Sequence, residues 1–242
     1  MKVVKVKDYD EMSDMACSFL IEKIERLQDP VLGLATGSTP EGLYKRLIEK
    51  YNDRKVSFEK VSTFNLDEYV GVAKDDPHSY HYYMKDKFFQ HIDISMDRVN
   101  VPSGMAEDLQ LQCEEYEKRM VDAGQVDIQV LGIGVNGHIG FNEPGTSFFS
   151  RTHIVDLEES TRKANARYFD SIDDVPTQAI TMGIETIMDS KEILLLVSGA
   201  EKGRALARLL NDESEITEEF PASILKRHER VTIIADWEAL NG

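Results

Sequence analysis

Four stretches of this chain are apolar almost without a break: Val31 to Ala35, Ile128 to Gly132, Ile193 to Val197 and Val231 to Ala235. A strand with one wet face alternates apolar and polar residues, so continuous runs like these need cover on both faces. Segments with helical periodicity lie between them. Met12, Met15, Ala16, Phe19, Leu20, Ile24 and Leu27 form the clearest example, opened by a capping pair at Asp8 and Glu11. Weaker strands are expected at 3–6, 61–66 and 99–101, and further helices at 79–91, 107–123 and 201–210.

This alternation predicts an α/β fold: an open, mostly parallel, doubly wound, Rossmann-like sheet with helices on both faces. No repeat, low-complexity tract or long linker divides the chain, so residues 1–242 read as one domain. Residues 158–190 look helical but irregular and are expected to form a small lid. With 41% apolar residues, 242 residues suffice for a substantial core.

The charge balance narrows the partners. Twenty-eight basic residues face 44 acidic ones, a net charge of −16. So acidic a surface repels nucleic acid and anionic membranes. It repels a phosphorylated metabolite at long range too, and such a ligand would need a local pocket of backbone N–H groups and a few cations. Cys17 and Cys113 sit in separate helical patterns and read as two thiols in a reducing compartment, although one disulfide is formally open to them. The opening MKVVKVKDYDEM meets charge at once and lacks the apolar core of a signal peptide. No apolar run approaches the ~20 residues that span a bilayer. A cytoplasmic protein is the expectation.

In open α/β sheets ligands bind beyond the carboxyl ends of the strands. Four strands here end in unusual polar sequences: Ala35 to Pro40, Asn65 to Tyr69, Gly132 to His138, and Ser198 to Lys202. Parallel strands would bring all four to one rim. In the first, Gly37 permits a sharp turn, Ser38 and Thr39 add hydroxyls, and Pro40 opens a helix whose free N–H groups suit a phosphate monoester. The same residues also fit a plainer role, with Thr39 capping a helix. Asp67 and Glu68 fit either a solvated loop or a rim carboxylate able to take a proton from carbon.

Residues 132–137 match G-x-G-x-x-G, the dinucleotide fingerprint. That motif works by leading straight into a helix. Here His138-Ile139-Gly140-Phe141-Asn142-Glu143-Pro144-Gly145 follows, and its glycines and proline oppose one. A catalytic loop fits better. An imidazole exchanges protons near neutrality, and Glu143, five residues on, is placed to orient His138. A structural histidine bonded to backbone is the alternative. The other histidines are His78, His81, His91, His153 and His228, and no zinc spacing is present.

These segments closely resemble glucosamine-6-phosphate deaminases. The matching motifs are Leu32 to Pro40, Asn65 to Tyr69, Gly134 to Pro144, Ser150 to Thr152, Asn165 to Phe169 and Ser198 to Lys202. The resemblance implies conversion of glucosamine 6-phosphate and water to fructose 6-phosphate and ammonia, without a redox cofactor. It implies that Asp67 moves a proton from C2 to C1, that His138 assists ring opening, and that Glu143 orients His138. It assigns the phosphate to Gly37, Ser38, Thr39, Arg167 and Lys202. Asn136 stands where some members carry an aspartate, so it is expected to act as a hydrogen-bonding spacer. Hexameric members activated by N-acetylglucosamine 6-phosphate use basic side chains where this chain has His153 and Val155. No strong activation is expected, and a monomer or small homo-oligomer is.

Two other functions remain open to such a chain. A sugar-phosphate sensor domain would bind without turnover, although no helix-turn-helix precedes residue 3. A 6-phosphogluconolactonase would need the phosphate loop and His138 but not the Asp67 segment.

Overall fold

The computed structural model describes residues 1–166, 169 and 171–242. The first half runs β1 (Lys2–Lys5), α1 (Tyr9–Arg26), β2 (Val31–Leu34), α2 (Ser38–Asn52), β3 (Ser62–Asn65) and β4 (Asp67–Tyr69). It continues through α3 (Tyr80–Lys87), β5 (Val99–Asn100), α4 (Leu109–Asp122) and β6 (Ile128–Leu131). The second half holds β7 (His153–Asp156), α5 (Glu159–Asn165), β8 (Gln178–Thr181), α6 (Ile184–Met188) and β9 (Glu192–Val197). It ends with α7 (Gly203–Leu210), β10 (Val231–Ala235) and α8 (Trp237–Asn241).

Seven strands form a wholly parallel sheet in the order β1-β10-β9-β6-β2-β3-β5. From β2 the chain winds one way through β3 to β5 and the other way through β6 and β9, which makes the β2–β6 boundary a topological switch point. The continuous apolar runs do what was expected of them. In β9, Ile193, Leu195 and Val197 enter one core while Leu194 and Leu196 enter the other. α4 and α7 cover the first face, and α1, α2 and α3 cover the second. Each large aliphatic side chain buried this way contributes about 1.5–3 kcal/mol.

Asp8 caps α1, accepting from the Glu11 N–H at 3.0 Å, while Glu11 returns a bond to the Lys7 N–H. Cys17 and Cys113 are free and buried in α1 and α4, and burial pushes both thiols up to about 11. Among the described residues no helix is long and apolar enough to cross a membrane.

A second sheet departs from the expectation. β4, β8 and β7 form a small antiparallel sheet, Asp67 pairing with Thr181 and His153 with that same residue from the other side. Residues 158–190 are therefore not helical throughout. α5 and α6 flank a strand, and a 3-10 turn occupies Ile172–Asp174. Four-residue strands of mixed polarity, such as Gln178–Thr181, are too short to show a period.

Candidate active site

All four polar strand ends meet at one rim, because β9, β6, β2 and β3 are parallel neighbours. The first forms a cradle. Gly37 takes φ +101° and serves as the N-cap of α2, which begins at Ser38 with no side-chain cap. Thr39 is thus inside the helix rather than capping it. Pro40 occupies the first turn, where a missing N–H costs nothing. The helix start is left open toward an anion. Tyr83 steadies the turn, its hydroxyl donating to the Gly37 carbonyl at 2.7 Å. Ser38, Thr39, Ser198 and Lys202 line one cleft beside it. Arg167 lies outside the described residues.

The Ser198 loop has its own anchor. Asp236 is buried at the end of β10, accepts from the Ser198 hydroxyl at 2.5 Å, and receives the Gly199 N–H. It also caps α8.

Asp67 and Glu68 do not sit in a solvated loop. Both are buried in β4, and the pleat sends them to different surroundings. Glu68 accepts three backbone N–H bonds, from Tyr69, Tyr80 and His81, at 2.8–2.9 Å. It holds the start of α3. Burial still pushes its carboxyl up to about 7 against those bonds. No hydrogen bond reaches the Asp67 carboxylate among the described residues. Burial, aided by the neighbouring Glu68 charge, pushes it up to about 8. A carboxylate poised near neutrality is suited to taking a proton from carbon.

No helix follows the glycine-rich stretch after β6; the next regular element is β7. The dinucleotide reading of residues 132–137 fails on that ground. The stretch instead forms a tight loop, with the Gly134 N–H bonded to the His138 carbonyl at 2.9 Å. Gly134 is required by contact: a Cβ there would stand 2.2 Å from the His138 ring. The Phe141 N–H donates to the Thr181 hydroxyl at 3.1 Å, and the Asn142 amide donates to the Met182 carbonyl at 2.8 Å. Thr181 is the β8 partner of Asp67, so these bonds tie the imidazole loop to the strand of the carboxylate. At Gly140 the loop comes close, for a Cβ there would lie 3.9 Å from Asp67 Oδ2.

Within the loop, Asn136 stands between the two expected partners. Its amide nitrogen donates to Glu143 Oε2 at 2.7 Å, and its oxygen meets His138 Nδ1 at 2.8 Å. Glu143 itself comes within 3.5 Å of the ring. Burial works to raise the Glu143 carboxyl, but the His138 ring, the Thr161 hydroxyl and the Asn136 amide outweigh it and hold it at about 2. It stays an anion.

Tyr69, Tyr80, Thr161 and Asn165 complete the surroundings; Tyr69 and Asn165 lie in motifs quoted above without a role, and nothing in the sequence marks Tyr80 or Thr161. Asn165 donates to the Tyr69 hydroxyl at 2.9 Å, as does Tyr80 at 3.1 Å. The Asn165-to-Phe169 motif was the available signal. Among the described residues no cluster of three His, Cys, Asp or Glu could hold a metal ion.

Known proteins resemble the chain over nearly its whole length. The glucosamine-6-phosphate deaminase of Oceanobacillus iheyensis is 60% identical over 240 residues, 99% of this chain and 95% of that one. Glucosamine-6-phosphate deaminase 1 of Bacillus subtilis is 54% identical over 239 residues, 99% and 98% of the two chains. A solved monomeric glucosamine-6-phosphate deaminase, 54% identical, superposes with a TM-score of 0.96 over 99% of this chain and 98% of that one. A 6-phosphogluconolactonase from Thermotoga maritima shares the fold, with a TM-score of 0.76 at 22% identity over 97% of this chain and 99% of that one. The family model of glucosamine-6-phosphate isomerases and 6-phosphogluconolactonase matches residues 7–234. The chain belongs to that family.

Proposed function

We propose that the chain converts glucosamine 6-phosphate and water to fructose 6-phosphate and ammonia, in the breakdown of amino sugars. Relatives at 54–60% identity over nearly the whole chain carry the name of this activity. The observation that carries the chemistry is Asp67. It is buried, pushed up to about 8 and unencumbered by hydrogen bonds among the described residues.

In this reading Ser38, Thr39, the Gly37 backbone, Lys202 and Arg167 bind the phosphate. A guanidinium in that set would grip two oxygens at once. His138 passes a proton to and from the ring oxygen as the sugar opens. Asp67 takes the proton from C2, leaving an enolamine, and returns it at C1. The resulting imine at C2 adds water and releases ammonia. Glu143 and Asn136 orient the imidazole. No redox step occurs, so the reaction itself requires no electron carrier.

The α5 segment serves as the lid, excluding water from the enolamine. Arg151, which lies in the segment that resembles the activator site of hexameric relatives, is already paired with Glu117 and Asp189 at 2.5 Å each. That engagement supports weak or no activation by N-acetylglucosamine 6-phosphate. A monomeric state is favoured by the solved relative described as monomeric. The reading also places the enzyme in the cytoplasm.

The test is ammonia release from glucosamine 6-phosphate by the purified protein, beside Asp67→Asn. The variant keeps the shape of the carboxylate and lacks a base. Turnover should fall by about 10²–10⁴-fold with substrate binding kept. Wild-type turnover in the variant refutes the assignment.

A further inference from the structure

Helix α5 touches two separate parts of the site. Thr161 and Asn165 stand four residues apart and so share one helix face. The Thr161 hydroxyl donates to Glu143 Oε1 at 2.6 Å. The Asn165 amide reaches Tyr69, the last residue of the strand that carries Asp67. One short helix thus spans from the imidazole loop to the base's strand.

The two oxygens of Glu143 have different partners. Oε1 is taken by Thr161, and Oε2 receives the Asn136 amide nitrogen. A carboxylate can only accept, so the nitrogen of Asn136 must face it and the amide oxygen must face the ring. That oxygen also only accepts. His138 therefore carries its proton on Nδ1, where it meets Oδ1, and offers the Nε2 lone pair outward. The His138 N–H also donates to Oδ1 at 3.2 Å, so the amide orientation and the tautomer are settled within the loop, and Thr161 holds the far oxygen of the carboxylate on which that chain of bonds ends.

We propose that Thr161 is a positioning residue for His138: its hydroxyl holds the Glu143 carboxylate in the rotation that keeps Oε2 on the Asn136 amide, so that Asn136 in turn holds the imidazole in place. Seating α5 and readying the imidazole are then a single event. A helix that docks only when the sugar is bound would arm His138 only at that moment. The contact is charge-assisted, donor to anion, which is the stronger class of hydrogen bond. The catalytic consequence rests on the deaminase reading; the placing of the carboxylate and amide does not.

The experiment uses the full chain with Thr161→Val, which keeps the shape and removes the donor, and Thr161→Ser, which restores it. Proton–nitrogen spectra of nitrogen-15-labelled protein report the Asn136 side-chain amide without any substrate. In the parent and Thr161→Ser the amide proton that meets Glu143 should lie downfield of free side-chain amides, and in Thr161→Val it should move toward them. With glucosamine 6-phosphate, kcat should fall at least about tenfold in Thr161→Val, with a smaller change in KM and recovery in Thr161→Ser. A parental Asn136 amide signal in Thr161→Val overturns the proposal, and so does an unchanged kcat. If Thr161→Val loses its cooperative unfolding transition, Thr161→Ala replaces it under the same criteria. A parent that releases no ammonia sinks the functional reading, and the spectra then decide the proposal alone.

Discussion

Asn136 turns its amide oxygen to His138, Oδ1 and Nδ1 lying 2.8 Å apart, nearer than the Glu143 carboxylate at 3.5 Å. The neutral residue is the working contact and the charged one acts through it. Asn136→Ala should therefore cost nearly as much as removing the carboxylate. A drop of about 10–100-fold in kcat/KM is expected for Asn136→Ala, and Glu143→Gln should add little to it in the double variant. Additive losses would show that the two side chains work separately.

Asp67 gives stability and activity opposite slopes in pH. Burial raises its carboxyl from 3.8 to about 8, so between those values the folded protein holds a proton that the unfolded chain has lost. Stability from this group falls as pH climbs through that interval. The proton must leave before Asp67 can act as a base, so kcat/KM should rise toward pH 8. Asp67→Asn should melt higher than the parent, by several degrees at pH 8 and by little at pH 4, a gain of at least about 1 kcal/mol. Thermal melts at both pH values check this, and an equal gap at each contradicts it. Glu143 works the other way: held at about 2 instead of 4.5, it adds stability that is present above 4.5 and lost as pH falls toward 2.

Lys202 should govern binding more than turnover. It lines the cleft with Ser38 and Thr39 on the loop anchored by Asp236. Lys202→Met should raise KM for glucosamine 6-phosphate by about 10–100-fold and alter kcat much less. A kcat effect larger than the KM effect would place Lys202 at the reacting end of the sugar.

Gly134→Ala tests the tight loop. The added methyl would stand 2.2 Å from the His138 ring, and the ring or the loop must shift. Misplacement by about 1 Å can cost 10²-fold in rate. Steady-state kinetics should show that loss chiefly in kcat, while a melting temperature lowered by only a few degrees would locate the damage at the imidazole.

The large sheet was legible because β2, β6, β9 and β10 are buried on both faces and their sequences say so. The small sheet was not. Asp67–Tyr69 and His153–Asp156 are short and mixed, and the pairing of the first with β8 joins residues more than a hundred positions apart. The site divides likewise. His138 and Glu143 were readable from their place in a glycine-rich loop after a strand, and Asp67 from its place past another. Spacing alone could not show that Asn136 sits between His138 and Glu143, since chain distance does not fix side-chain direction. Thr161 reaches Glu143 from a helix with no local motif to mark it.

Asp67 and Glu68 are neighbours of nearly the same chemistry, yet among the described residues one carboxylate has no hydrogen bond and the other is spent on the start of α3. Only the pairing of Asp67 with Thr181 tells them apart. Slide β4 by one position and every side chain changes sides: the glutamate would take the place beside Gly140 and the aspartate would be left beneath the helix. The antiparallel ladder, and not acidity, decides which of two adjacent acids keeps an unengaged carboxylate.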